Sequence, residues 1–495
     1  MKKIFISGIS ILLLIACTSP VDKRLEKAFL CAGDNRNELE KVLTFYQNDS
    51  VKLAAARFLI MNMPYHFSQE EYYLSPKGEK YRPDISRFSD HKAVESHCDS
   101  LTRHGYRINR KKVHDISSLD SSFLINNIEL AFEVWQKPWA QNISFDDFCK
   151  YILPYRARTE IPSNLRKEMM ERFMPVLDSA KVQTPLEACI TLQKYLKEII
   201  KYKNTGLSLY PTIDETYRSG IGICDGLCNL GIFIMRAVGI PVTIDQTIWT
   251  KMDLGHVWCV VLDNGKFYSF DPEGTQPILH ALDFSRKRNL RPAKVYRNRF
   301  DPDLTLVNTN DDGYVTYLKS PLIYDVTDKY LDKTTPIQVS VDKEKRKMGK
   351  SNQVYLCIHN YYAWQPIAIG YRDENVCHFD RVVGDNLWWP IRLMGMDCAL
   401  LLSLFMQTER VTSANSFLKK RICRSLHLIN AEINWIRNIR CITGSRTKTN
   451  SFHCNMPAKQ IPHKRISRYR EKPCCGTRFR KELLTNAYYL SKTTV

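Results

Sequence analysis

What this 495-residue chain lacks narrows it first. No apolar run in its body is long enough to cross a bilayer, which takes about 20 residues. The run at its start, Ile4 to Ile15, falls short of that length. The 16 cysteines show no regular spacing, so the disulfide framework of a small secreted scaffold is not legible. Acidic residues are scarce at one end only. Residues 391–495 hold 20 Lys+Arg against 5 Asp+Glu, while residues 1–390 hold 52 against 47. Of the formal charge of +20, +15 therefore sits in the tail, and the body at +5 is nearly neutral. Because that charge sits outside any recognisable fold, no nucleic-acid partner is expected. Apolar content of 44% and charged content of 25% are ordinary for globular protein and exclude a disordered body. The length asks for two to four domains.

Lys2 and Lys3 before the apolar run make a secretory signal. It ends in Leu14-Ile15-Ala16-Cys17, which resembles the lipobox of bacterial lipoproteins. That resemblance implies cleavage before Cys17, acylation of its thiol and a membrane partner reached through the anchor. Acyl chains hold a soluble body on a membrane without a spanning helix. The expected location is the cell envelope. Thr18 to Asp22 carries no acidic run, so the periplasmic face and the cell surface both stay open.

After the signal (1–16), residues 17–157 read as a helical region. Leu25, Phe29, Leu39, Val42 and Leu43 recur at helical spacing, as do Leu53, Ala56, Leu59 and Ile60. Ser144 and Asp147 frame a short helix stopped by Pro154. Residues 158–315 form the segment that carries chemistry. It opens with Thr184-Pro185-Leu186-Glu187, a capping pattern for a helix to about Tyr202. Residues 320–393 switch to a period of two and read as a β-sandwich, with strands at Ile337–Val341, Val354–Ile358, Ile367–Ile369 and Arg381–Val383. Trp364, Trp388 and Trp389 are candidates for stacking against sugars or peptides. Residues 394–495 are an irregular basic tail. Its His453, Cys454, His463, Cys474 and Cys475 fit no common zinc spacing, so no metal is assigned. The abrupt change of composition points to an aberrant reading frame in place of further strands.

The chemistry centres on Gly220-Ile221-Gly222-Ile223-Cys224-Asp225-Gly226-Leu227-Cys228, which leads into an apolar helix ending at Val238-Gly239-Ile240-Pro241. The glycines give a tight entry turn, and Gly239 suits the left-handed position past a helix end. Cys224 then opens the helix, where unpaired amides and the helix dipole favour a thiolate and can bind an oxyanion. Cys228 lies one turn inside, away from those amides. Downstream, Asp263-Asn264-Gly265 marks a two-residue hairpin. With Asp263 opposite Lys266, His256 falls opposite Glu273 and Trp258 opposite Asp271. His256 and Asp271 become diagonal neighbours, close enough for a carboxylate to orient an imidazole. Cys259, of the other parity, faces away into the core. Singly, each residue is more often structural: a core cysteine, a satisfied histidine, a turn aspartate. Together they make a nucleophile, a base and an orienting acid.

A glycine-flanked Cys224, the helix end Arg236-Ala237-Val238-Gly239-Ile240-Pro241, the strand His256-Val257-Trp258 and the pair Asp271-Pro272 together resemble the transglutaminase-like superfamily over about residues 180–275. More loosely, Ile152-Leu153-Pro154-Tyr155-Arg156 and Trp364-Gln365-Pro366-Ile367-Ala368 resemble parts of bacterial lipoproteins that flank this domain with a helical region and a β-sandwich. The resemblance implies an α+β fold class, with a helical N-terminal region, a papain/transglutaminase-like catalytic domain, a C-terminal β-sandwich and the irregular tail. It implies a cysteine hydrolase with Cys224, His256 and Asp271 as triad, acting through an acyl-enzyme on peptide or glycopeptide amide bonds without a cofactor. Gln246 and Trp249, on the loop before His256, and Trp258 are candidates for the substrate cleft. Cys228 and Cys259 depart from the family pattern, and a disulfide from Cys224 to a neighbour would silence the site. The competing reading is a weakly active or inactive binding module of a glycan- or peptide-handling system.

Overall fold

A computed structural model describes residues 20–407, apart from 89, 204–208, 251–254, 275–277, 280–291, 308–316, 332–333, 341–352, 361–362, 375, 384–385, 395–396 and 401–404. The signal segment with Cys17, and the tail from 408 with its histidine and cysteine candidates, lie outside the described residues. Up to residue 406 the described chain belongs to one compact unit. Among the described residues no helix is long and apolar enough to cross a membrane.

The chain opens with helices α1 (Pro20–Ala32), α2 (Arg36–Phe45) and α3 (Ser50–Asn62). Leu25, Phe29, Leu39, Val42, Leu59 and Ile60 are buried, as their spacing predicts. The helical region also carries a small sheet that the reading of the sequence did not include. Strands β1 (Phe67–Leu74), β2 (Lys80–Tyr81) and β3 (Arg107–His114) form an antiparallel sheet in the order β2-β1-β3, with helix α4 (His91–Arg103) between β2 and β3. Charge on both faces hides these strands: β3 reads Arg-Ile-Asn-Arg-Lys-Lys-Val-His, and β1 places Glu70 beside Glu71. Glu71 is buried, and it accepts from Arg110 Nε at 2.7 Å in the register position opposite.

Helices α5 (Ser121–Trp135), α6 (Phe145–Tyr151), α7 (Arg166–Ala180) and α8 (Pro185–Ile199) follow. Ser144 caps α6, and the Thr184/Glu187 capping box opens α8, both as the sequence indicates. Between α6 and α7 the backbone turns inward, and buried guanidinium groups satisfy its carbonyls. Arg166 donates to the carbonyls of Ile152 and Leu153. Arg156 pairs with Asp115 at 2.7 Å, and Asp115 also accepts from Tyr155 at 2.8 Å, with both charged side chains out of water.

Short strands β4 (Lys201–Tyr202) and β5 (Ile221–Gly222), parallel to each other, flank α9 (Ile213–Ser219) and lead into α10 (Cys224–Ala237). From Gly226 to Ala237 every residue of α10 is buried. Gly239, at φ +83°, ends it beside α5. A Cβ there would lie 2.7 Å from the Val134 carbonyl oxygen, so only glycine fits.

The central sheet is antiparallel, in the order β11-β10-β6-β7-β8-β9. It comprises β6 (Val242–Trp249), β7 (Gly255–Asp263), β8 (Lys266–Phe270), β9 (Ile278–Leu279), β10 (Pro292–Asn298) and β11 (Ile323–Asp325). Val257, Cys259 and Val261 share one core with α10, α8 and the N-terminal helices. Trp258 and Val260 pack on the other side with Val295.

The remaining strands are β12 (Thr334–Ser340), β13 (Gln353–Asn360), β14 (Ala363–Asp373), β15 (Val376–Val383), β16 (Asn386–Met394), β17 (Asp397–Leu400) and β18 (Phe405–Gln407). They join in one antiparallel sheet, order β12-β15-β14-β13-β16-β17, with β18 on β16. Its buried Leu356, Ile367 and Phe379 cluster with Ala293 of β10, and Ile248 of β6 packs against them, so the central sheet supplies the facing layer. Two boundaries differ from the reading of the sequence. β11 lies within the range expected for the sandwich yet pairs with the central sheet, and strands continue beyond 393 to 407. β11, β17 and β18 have only three or four residues, too few for alternation to show. The side chains of Trp364, Trp388 and Trp389 lie outside those described.

Arg156→Leu leaves the Asp115 carboxylate buried without its cation, and is expected to cost about 3–5 kcal/mol of folding free energy. Urea unfolding followed by tryptophan fluorescence checks this, and an unchanged midpoint would mean the pair does not hold the loop.

Candidate active site

The nucleophile candidate is positioned by a turn that only glycine can make. Gly220 ends α9 at φ +65°, and a Cβ there would sit 2.6 Å from the Ile199 carbonyl oxygen. Ile221 and Gly222 then pair with β4, and Cys224 begins α10. The residue at the N-cap is Ile223, which has no side-chain acceptor to offer. In α3, α6 and α8 a side chain occupies first-turn amides, whereas at α10 no cap side chain does. A helix start built this way presents its N–H groups to an incoming anion.

Burial separates the nearby thiols. Cys224 is partly exposed. Cys228 is 1% exposed, its sulfur lies 3.6 Å from the Val257 carbonyl oxygen, and desolvation holds its thiol well above the usual range. Cys259 is fully buried, 3.6 Å from the carbonyl oxygen of Cys228, and burial raises its thiol too. All three are free thiols.

The hairpin has the predicted register from Asp263 opposite Lys266 to Cys259 opposite Phe270, with Asn264 and Gly265 both at positive φ. Pairing stops there, so the expected pairs of Trp258 with Asp271 and of His256 with Glu273 do not form. Asp271 leaves the strand instead, and its Oδ1 comes to 3.6 Å from His256 Nε2. Cys224 is the imidazole's other neighbour in the site. Burial by itself would lower the His256 pKa. The polar contact and charge of Asp271, then those of Cys224, outweigh it and push the value up to about 10. Glu273 sits beside the pair, and burial, then the neighbouring Asp271 charge, raises its carboxyl.

The substrate-cleft candidates fall in different places. Gln246 and Trp249 are on strand β6, not on a loop, and Thr247 between them pairs with His256. Gln246 is partly exposed and sits opposite Val257. Trp249 is 4% exposed and stacks on His256 with ring centres 6.1 Å apart. Trp258 is fully buried, and its ring lies on the same imidazole at 5.8 Å. Its indole N–H donates to Tyr330 Oη at 3.0 Å, and Tyr330 donates to Asp245, which Arg297 holds with two bonds. Trp258 is thus a rigid backing for His256, with no exposed surface to offer a substrate.

Three supporting residues escape a reading of the sequence. Gln193 of α8 donates to the Asp271 carbonyl at 2.7 Å. Tyr330, far along the chain, fixes Trp258. Gly231, within α10, lets the Asp271–Gly274 turn rest on the helix, since a Cβ there would be 2.5 Å from Pro272 Cγ. Only Gly231 carries a local signal, an isolated glycine in an apolar helix. Among the described residues no group of three or more His, Cys, Asp or Glu side chains could hold a metal ion.

Residues 177–272 match the model of the transglutaminase-like superfamily. Among solved structures, a putative cysteine protease from Cytophaga hutchinsonii is similar at 16% identity and TM-score 0.23, over 31% of this chain and 48% of that one. A TGase is similar at 12% identity and TM-score 0.18, over 34% of this chain and 42% of that one. The chain thus spans less than half the length of either. No curated protein matches it significantly.

His256, raised above its unfolded value, is imidazolium below about 10 and loses the proton as pH rises through that value. Asp271→Asn removes the carboxylate charge, so the NMR titration of the His256 ring should move about 1–3 pH units lower. A titration that does not move would show that Asp271 has no hold on the ring.

Proposed function

We propose that the transglutaminase-like domain at residues 177–272 serves a cysteine hydrolase of the peptidase or amidase type. One observation carries the reading. A partly exposed thiol at an uncapped helix start lies beside an imidazole that a carboxylate faces at 3.6 Å. In the reacting state the proton of the Cys224 thiol already sits on His256, as the raised value of about 10 favours, and the sulfur attacks the acyl carbon of an amide. The carbonyl π electrons move to oxygen, and the amides that open α10 stabilise the oxyanion. Collapse breaks the C–N bond as His256 protonates the leaving amine. Water, losing a proton to His256, then attacks the thioester, and the sulfur departs as the thiolate with that proton left on His256. Asp271 holds the ring orientation and favours the imidazolium throughout.

Water as the second nucleophile makes a hydrolase, and an amine in its place would make a cross-linker. Peptide or glycopeptide amides at the cell envelope are the proposed substrates. The lipobox-like Leu14-Ile15-Ala16-Cys17 supports that location, with an acyl anchor at Cys17.

Wild-type protein, Cys224→Ala and Cys228→Ala are to be incubated with a peptide and glycopeptide library, followed by intact-mass spectrometry. An acyl adduct is expected on wild-type and Cys228→Ala, with turnover in Cys224→Ala lower by about 10³-fold or more. Adducts that persist in Cys224→Ala would refute the assignment.

A further inference from the structure

The residue after the nucleophile is held partly from outside the family-matched segment. Arg158 Nη1 and Tyr210 Oη donate to the two different carboxylate oxygens of Asp225, in the first turn of α10. Each donor is itself fixed. Glu160 accepts from the amides of Ala157 and Arg158, and Arg236 donates to the neighbouring Arg156 carbonyl at 2.6 Å. The Tyr210 amide donates to Glu71 of β1 at 2.6 Å, and its carbonyl accepts from Arg82 at 2.8 Å. Leu209 is buried in a small core with Tyr73, Ile85, Val94 and Cys98. Physically, then, the segment at Leu209 and Tyr210 belongs to the N-terminal sheet, although it lies inside the residues matched to the family.

An unrestrained aspartate in a helix's first turn is drawn to the amides and positive dipole there. At α10 those amides are needed for the oxyanion, and a loose carboxylate would compete with it for them. We infer that Arg158 and Tyr210 are positioning residues, which hold the Asp225 carboxylate away from the first-turn amides of α10 and keep that site open to the substrate. The N-terminal sheet thereby becomes part of the working site, because Glu71 and Arg82 set Tyr210. The inference rests on the hydrolase reading above.

The test separates acyl transfer from simple thiol reactivity. Iodoacetamide alkylates a thiolate by displacement and needs no oxyanion site, whereas amide hydrolysis needs both. Tyr210→Phe, which frees one carboxylate oxygen, is expected to lower kcat about 10-fold. KM, the iodoacetamide rate at Cys224 and thermal stability should stay within about twofold or a few degrees. Adding Asp225→Ala removes the competing carboxylate, so the double variant should recover most of the lost kcat. A merely structural role predicts no such rescue. Parallel loss of hydrolysis and alkylation in Tyr210→Phe, an unchanged kcat, or a double variant no better than the single one would overturn the inference while leaving the hydrolase reading intact. Wild-type protein that alkylates at Cys224 but never forms an acyl-enzyme would overturn that reading, and this inference with it.

Discussion

The guanidinium of Arg236 donates to the carbonyls of Tyr151, Pro154, Arg156 and Val242, and this one buried side chain joins three parts of the molecule. It sits near the end of α10, so it ties the helix that begins with Cys224 to the inward loop before α7 and to the first strand of the central sheet. Burial lowers its pKa to about 10 and that of Arg166 to about 9, values at which both remain charged near neutrality. A buried charge is tolerable only when hydrogen bonds and opposite charge replace its water, and here backbone carbonyls do so, with the Glu160 charge opposing the desolvation of Arg236. The arrangement works in both directions. The loop carbonyls would be costly to bury unpaired, and the guanidinium would be costly to bury alone. Together they set the depth and rotation of α10, and with them the place of the sulfur.

From that fixed helix the site's electrostatics follow. Cys224, Cys228 and Cys259 are chemically alike, and position sorts them. The last two are sealed between α10 and β7, where desolvation keeps them as thiols. The first stands at the edge, next to an imidazole. His256 is backed by two indole rings and faced by Asp271, so its ring has little freedom to turn. Asp271 in turn is seated by Gln193 and by the close approach that Gly231 of the same helix permits.

The sequence makes much of this legible, for reasons that can be named. The hairpin register follows from Asn264-Gly265, because a two-residue turn admits one pairing. The start and end of α10 follow from Gly220, Gly239 and Pro241, each tied to a backbone conformation. Other features were hidden because they depend on distant partners. No local pattern announces that Tyr330 meets Trp258, or that Glu71 reaches Tyr210. The sheet of β1, β2 and β3 escapes notice because its charged residues pair across strands, so hydrophobic alternation is lost. Gln246 and Trp249 read as loop because β6 is buried along most of its length and shows no period of two. The extended hairpin pairing failed where Asp271-Pro272 leaves the ladder, since proline cannot donate to it.

The central claim is that a thiol, an imidazole and a carboxylate meet at the uncapped start of α10 as a working acyl-transfer site. A crystal structure of the protein soaked with a peptide aldehyde tests it most directly. The account predicts a thiohemiacetal on Cys224 Sγ, with the new oxygen against the first amides of α10 and His256 in contact with the adduct. An adduct on another cysteine, or a Cys224 adduct whose oxygen points away from the helix start, would contradict it.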